Sequence, residues 1–296
     1  MNKKIFQNQD CVVLENADLE LLIPEAIGPR VLSLKFRGSE NLFAELPDFT
    51  TRRPDGELYH FYGGHRLWLT PEEPMFSYGL DDQQVQISET RDGILVKKSI
   101  EPETGIEKSL LFTLDADHPK LIVTHRLSNH GTASIDYSAW AITQLKTGGI
   151  AILPQSVTPT GLLPNRMLGL WPYTDLASPS LTLGKSFLLL RANLRSPFKV
   201  GFPNPRGWLA YWQKGILFVK RANFDPSARY SDYGCSSECY CNEQFIELET
   251  LAPLKSLAPG ETITHVETWE LFGDVPEPKD EDTVWRMVEM LGLEKQ

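Results

Sequence analysis

Ile106-Glu107-Lys108-Ser109-Leu110-Leu111-Phe112-Thr113-Leu114, a break at Asp117-His118-Pro119, and then Leu121-Ile122-Val123-Thr124-His125-Arg126-Leu127 is the stretch whose reading decides the fold. Each run is short and rich in β-branched and aromatic residues, and the break carries turn chemistry, so the pair reads as two antiparallel strands. The same grammar extends upstream to Gln84–Glu89 and Gly93–Ile100. Spacing near ten residues, with Asp-Gly and Glu-Thr-Gly between the runs, predicts a meander. Downstream the pattern continues through Ile135–Leu145, Ile150–Leu153, Gly184–Ala192, Gly207–Trp212, Gly215–Lys220, Gln244–Glu249 and Ile263–Leu271. At the front, Val12-Val13-Leu14, Leu19–Ile23 and Val31–Phe36 alternate around turns at Pro24 and Gly28-Pro29. Polar residues 37–60, with Pro47, Pro54 and Asp55-Gly56, read as a long loop. Only Asp280–Leu291 has helical spacing, with acidic residues near its start.

These elements predict an all-β chain, a sandwich of two large antiparallel sheets with a short C-terminal helix. No composition shift, linker or repeat divides residues 1–296, so one domain is expected, its core at about 10–273 and its helix at about 280–292.

Hydrophobic residues make up 41% and charged residues 23%, as in ordinary globular chains. A formal net charge of −10 and a pI near 5.2, without clustered Lys and Arg, argue against nucleic acid or an anionic membrane as partner. The start lacks an apolar segment after its two lysines, and no run approaches the twenty apolar residues of a membrane span, so a cytoplasmic, soluble protein is expected. Beside the distant Cys11, the close trio Cys235, Cys239 and Cys241 lacks a fourth thiol or neighbouring His to complete a structural zinc site. They read as reduced thiols, and no metal or cofactor is expected.

Tyr62-Gly63-Gly64-His65-Arg66-Leu67-Trp68-Leu69-Thr70-Pro71-Glu72-Glu73-Pro74 gathers imidazole, guanidinium, indole and carboxylates beside two glycines. Read as a loop, it suits a polyhydroxylated ligand: indole for sugar C–H faces, Arg, His and Glu for hydroxyls, glycines for close backbone approach. The alternative is an ordinary loop with a buried Trp. In Gln244–Thr250, alternation puts Ile246 and Leu248 on one face and Phe245, Glu247 and Glu249 on the other. That second face is either solvated or, in a cleft, a rigid mount for a general base. Trp140, Trp171, Trp208, Trp212 and Tyr211 are core candidates from which one or two could line a sugar platform. Serine-hydrolase elbows, P-loops, dinucleotide fingerprints and metallohydrolase His spacings are absent from the sequence.

Several separated motifs resemble those of one family. Ile27-Gly28-Pro29-Arg30-Val31-Leu32-Ser33-Leu34 with Gly38-Ser39-Glu40-Asn41-Leu42 is similar to the N-terminal signature of aldose 1-epimerases, the galactose mutarotases. Tyr62-Gly63-Gly64 resembles their His-Gly-Gly, and Tyr240-Cys241-Asn242 with Glu249-Thr250 and Pro253 resembles the segment carrying their catalytic Glu. Leu257 to Leu271 is similar to the superfamily's closing strand pair. The resemblance runs from about residue 20 to 272 and implies the β-supersandwich of galactose mutarotase-like proteins, with a small-molecule carbohydrate as ligand.

In that family a Glu takes the anomeric proton while a His protonates the ring oxygen. The resemblance implies Glu249 as base, with Glu247 beside it. The family's acidic His corresponds to Trp140, whose indole cannot act as an acid near neutral pH. The family's His before Gly-Gly is Tyr62 here. On this reading His65 supplies the acid, Arg66 and Arg30 orient the ligand, and Tyr62, Trp68, Glu73, Trp140 and Glu247 complete the site. The competing reading is a carbohydrate-binding protein that does not turn its ligand over.

Overall fold

The computed structural model describes residues 1–294. Its strands form a ten-stranded sheet, a nine-stranded sheet and a four-stranded N-terminal sheet, joined by antiparallel ladders. At the centre of the ten-stranded sheet, Ile216–Ala222, Thr262–Phe272, Lys120–Asn129 and Ile106–Leu114 lie side by side. The centre of the nine-stranded sheet runs Phe198–Phe202, Ser237–Cys241, Phe245–Leu251, Ile135–Lys146 and Leu58–Thr70. Leu67, Leu145 and Leu248 from this sheet pack with Phe112, Leu127, Phe218 and Trp269 from the other in one core. The sandwich expected from alternation is therefore the architecture, and Ile106–Leu114 has the expected bounds.

The tail helix, Glu281–Leu291, covers the outer face of the ten-stranded sheet through Val284, Met287 and Val288, against Ile150, Trp208 and Val219. Asp280 caps its first turn by accepting from the Thr283 N–H, and Gly292 closes it in the left-handed region. No helix among the described residues is long and apolar enough to cross a membrane. All four cysteines are free and buried.

Two expectations need correction. Residues 37–60 are not a loop throughout, because Glu45–Arg52 pairs with the neighbouring strand Leu58–Thr70. The Tyr62–Thr70 stretch is not a loop either: it is the greater part of that thirteen-residue strand. The first half of the strand pairs with Glu45–Arg52, and its second half with Ile135–Lys146 and Arg30–Val31.

The change of partner occurs at a bend, where Tyr62, Gly63 and Gly64 all have positive φ of 56°, 87° and 74°. A Cβ on Gly63 would stand 1.9 Å from the Ala44 carbonyl oxygen, and one on Gly64 would stand 1.9 Å from that of Val31. Close approach of neighbouring backbone, and not of a ligand, thus dictates the glycine pair. Fully buried Arg30 ties the bend from behind, donating to the carbonyls of Phe61 at 2.6 Å and Gly63 at 3.2 Å and pairing with Asp81.

Between the two large sheets lies a polar chain whose proton positions are set by its partners. His125 Nδ1 donates to the His265 carbonyl at 3.0 Å, so its Nε2 must accept from His65 Nε2, 2.8 Å away. His65 Nδ1 then accepts from the Thr143 hydroxyl at 2.9 Å, which itself accepts from Lys220 Nζ at 3.1 Å. Lys220 pairs with Glu267 at 2.9 Å, and Thr250 accepts from His265 Nε2 at 2.7 Å while donating to Glu267. All three histidines are neutral. Burial, reinforced by the His125 contact, holds His65 well below its usual range and His265 at about 3, and burial also lowers His125.

Gly64→Ala should destabilise the protein by about 3 kcal/mol in chemical denaturation, since it combines backbone strain with overpacking against Val31. Below about pH 6.5 the unfolded chain takes up histidine protons that the folded core refuses, so stability is full above that pH and falls as pH drops toward 3. Denaturation midpoints measured from pH 7 to 4.5 should decline, by about 1.4 kcal/mol per pH unit for each excluded proton. His265→Gln should flatten that slope by about one proton, and an unchanged slope would remove His265 from the account.

Candidate functional site

The outer face of the nine-stranded sheet carries the site. Along Leu58–Thr70 the side chains alternate, so Leu67 and Leu69 enter the core while Arg66 and Trp68 face outward. In register beside it stand Trp140 and Ile142 from Ile135–Lys146 and, one strand further on, Glu247 and Glu249 from Phe245–Leu251. Lys199 and Glu238 come from the next two strands on the same face. Phe61, Tyr78, Tyr173, Tyr240 and Phe245 wall this face into a cavity of about 390 Å³, with Arg66, Trp68, Trp140, Lys199 and Glu247 at its base.

Three carboxylates and two cations are interlocked there. Arg66 Nη2 donates to Glu247 Oε1 at 3.0 Å, and its guanidinium lies 4.3 Å from the Trp68 ring centre. Lys199 Nζ donates to Glu249 Oε2 at 3.1 Å and sits 2.7 Å from Glu238 Oε2, held between the rings of Trp140 and Trp171 at 4.6 Å each. Trp140 Nε1 donates to the same Glu249 oxygen at 2.8 Å. Trp68 meets Trp140 edge-on at 5.5 Å and donates to the Tyr59 hydroxyl at 3.0 Å.

Buried polar atoms on this face outnumber their partners. Arg66 Nε and Nη1, both ends of the Gln144 amide, Glu249 Oε1 and Glu238 Oε1 have no hydrogen-bond partner among the described residues. Such groups are costly in a finished core, and among these residues Arg66 is the one that also lines the cavity. Burial pushes the Glu247 carboxyl up to about 7; Arg66 pulls against that, and the Glu249 charge adds to it. Lys199 is held well above the ordinary lysine range, since Glu249 and Glu238 overcome the effect of its burial. Burial likewise lifts Glu238 well above the usual carboxylate range.

The sequence-derived set divides. Arg66, Trp68, Trp140 and Glu247 line the cavity together, and Glu249 stands behind them, fully buried between Trp140 and Lys199. His65 does not join them. Alternation turns it to the other side of its strand, fully buried in the inter-sheet chain with its ring 4.7 Å from Trp269. The composite site with a His65 acid is therefore corrected: its two ring nitrogens are taken by Thr143 and His125, and it does not line the cavity. Arg30 and Tyr62 belong to the bend, the guanidinium 5.2 Å from the phenol ring centre. Glu73 is exposed and accepts from the Tyr137 hydroxyl at 2.8 Å.

Lys199, Glu238, Tyr78 and Tyr173 were not singled out by the sequence. Phe198-Lys199-Val200-Gly201-Phe202 has the alternation that would have flagged Lys199, whereas Ser237–Cys241 lacks any apolar pattern that singles out Glu238. His65, His125 and Glu267 do bring ligand-type atoms within 4.8 Å of one another. Their lone pairs and protons are already matched within the inter-sheet chain, with Lys220 against the carboxylate, so the donor set does not suit a cation.

The fold defines the class: the chain has the galactose mutarotase-like fold. A galactose mutarotase-like protein from Lactobacillus casei superposes with a TM-score of 0.59 at 13% identity, covering 88% of this chain and 100% of that one. A galactose mutarotase related enzyme from Lactobacillus acidophilus gives 0.56 at 9%, covering 90% and 99%. An Escherichia coli K12 protein described as a candidate aldose 1-epimerase gives 0.53 at 15%, covering 89% and 99%. No protein-family model and no curated protein sequence matches the chain. At such identities the likeness establishes the fold, and the chemistry has to be argued from this chain's own residues.

Glu249 lies on the same strand face as Glu247, two residues along, and its charge raises the Glu247 midpoint. Glu249→Gln should therefore lower that midpoint, by on the order of one unit, in a carboxyl carbon NMR titration. An unmoved midpoint would mean the two carboxylates do not sense each other.

Proposed function

We propose that the cavity binds a carbohydrate and that Glu247 and Glu249 exchange protons with it, equilibrating the anomers of a sugar. The observation that carries this reading is Glu247, a cavity-lining carboxyl at about 7, half protonated near neutral pH and set between Arg66 and the Trp68–Trp140 aromatic base. Two carboxylates whose surroundings separate their roles are what acid and base work on one ligand requires.

In the forward direction Glu249 takes the anomeric hydroxyl proton, and the C1–O5 bond opens with its electron pair going to O5. Glu247, in its protonated form, gives its proton to O5. Rotation about C1–C2 exposes the other carbonyl face, and reclosure returns both protons. Arg66 supplies donors for hydroxyls, and the indoles supply an apolar face for ring C–H groups. The likeness to mutarotase-like structures supports a sugar as the ligand class.

One observation favours a second reading, a binding protein without turnover. Glu249 is fully enclosed behind Trp140 and Lys199 and does not line the cavity, so as placed it touches no ligand.

NMR exchange spectroscopy on a panel of pure anomers separates the two. The proposal expects at least one sugar to exchange faster with protein than in buffer, and Glu247→Gln to slow that exchange about a hundredfold or more while leaving affinity within a few fold. Binding without accelerated exchange would establish the second reading. Absence of both binding and exchange across the panel would sink both.

A further inference from the structure

A second chamber adjoins the cavity. It has a volume of about 320 Å³ and is lined by Thr51, Arg52, Arg53, Glu72, Pro74 and Tyr78. Thr51, Glu72 and Tyr78 line the first cavity as well, so the two spaces meet along a shared wall. Each chamber stands near the lower end of the roughly 300–1,000 Å³ typical of ligand pockets.

We propose that the ligand of this site is a saccharide of at least two rings, the second seated in the Thr51–Tyr78 chamber. The inference rests on the sugar-binding reading above and narrows its substrate class from a free monosaccharide to a disaccharide or longer glycoside.

The shared wall is rigid. The Tyr78 ring packs 4.5 Å from Trp68 and edge-on to Tyr59 at 5.6 Å, and its hydroxyl donates to Glu72 Oε1 at 2.8 Å. A linkage between rings would cross at this tyrosine, with one ring toward Trp68 and Trp140 and the other toward Pro74. Carbohydrate rings present apolar C–H faces edged by hydroxyls. The Pro74 ring and the phenol of Tyr78 suit the faces, while Arg52 as donor, Glu72 as acceptor and Thr51 as either suit the edges.

Charge argues for a neutral second ring over a phosphate or carboxylate. Arg53 is paired with Asp55 at 2.9 Å and Glu103 at 3.7 Å, and Arg52, which donates to the Gly56 carbonyl at 2.7 Å, shares the lining with Glu72, so the chamber has no surplus of cations. Arg53 also donates to the Tyr78 carbonyl at 2.9 Å, fixing the far end of the shared wall.

The test is calorimetry on the full chain with matched probes: glucose against maltose and cellobiose, galactose against lactose and melibiose, and mannose against a mannobiose. At least one disaccharide should bind about tenfold more tightly than its component monosaccharide, the worth of one or two added hydrogen bonds with stacking. Arg52→Ala, a change at an exposed position whose folding is checked by melting temperature, should bring that affinity ratio toward one. If monosaccharides bind and no disaccharide gains over them, or the gain survives Arg52→Ala, the second subsite is refuted and the sugar-binding reading stands. If no sugar of either size binds, the reading beneath it fails as well.

Discussion

The structure depends on a single backbone constraint, the close passage of the Ala44 and Val31 carbonyls against Gly63 and Gly64. Because neither glycine carries a Cβ, the Leu58–Thr70 strand can bend there and pass from one partner to another. Everything downstream inherits its register from that bend. Since side chains along a strand alternate with period two, the bend decides that His65 enters the inter-sheet core and Arg66 the cavity. A shift of one residue would put an arginine between the sheets and an imidazole in the cavity.

That division gives the nine-stranded sheet two polar systems of different character, one on either side. Inside, three histidines, two threonines, a lysine and a glutamate match donors to acceptors nearly one for one, so the buried groups are satisfied and fix the pairing of the sheets. Outside, Arg66, Gln144, Glu249 and Glu238 keep buried atoms without partners. The same chemistry is therefore completed on one face and left incomplete on the other.

The carboxylates show how far linear reading could go. Alternation in Gln244–Thr250 correctly put Glu247 and Glu249 on one face opposite Ile246 and Leu248. It did not disclose that Glu247 reaches the cavity while Glu249 is closed in by Trp140 and Lys199, because that depends on strands nearly fifty residues away or more. His65 failed for a related reason. Its neighbours in sequence, Gly-Gly before and Arg-Leu-Trp after, suggested a loop, in which adjacent side chains can converge, whereas a strand sends them to opposite sides.

By itself the sequence determined the class of the fold, since strand periodicity, turn chemistry and the helical tail are local properties that survive without knowledge of partners. It determined as well that Glu247 and Glu249 share a face. Only the tertiary structure decided that Arg66 and Trp68 lie on a strand and join that same surface, that Lys199 and Trp171 close over it, and that the glycine pair answers to backbone carbonyls. Those are contacts between segments far apart in the chain, and burial, partner and charge state exist for a side chain only once the strands beside it have been chosen.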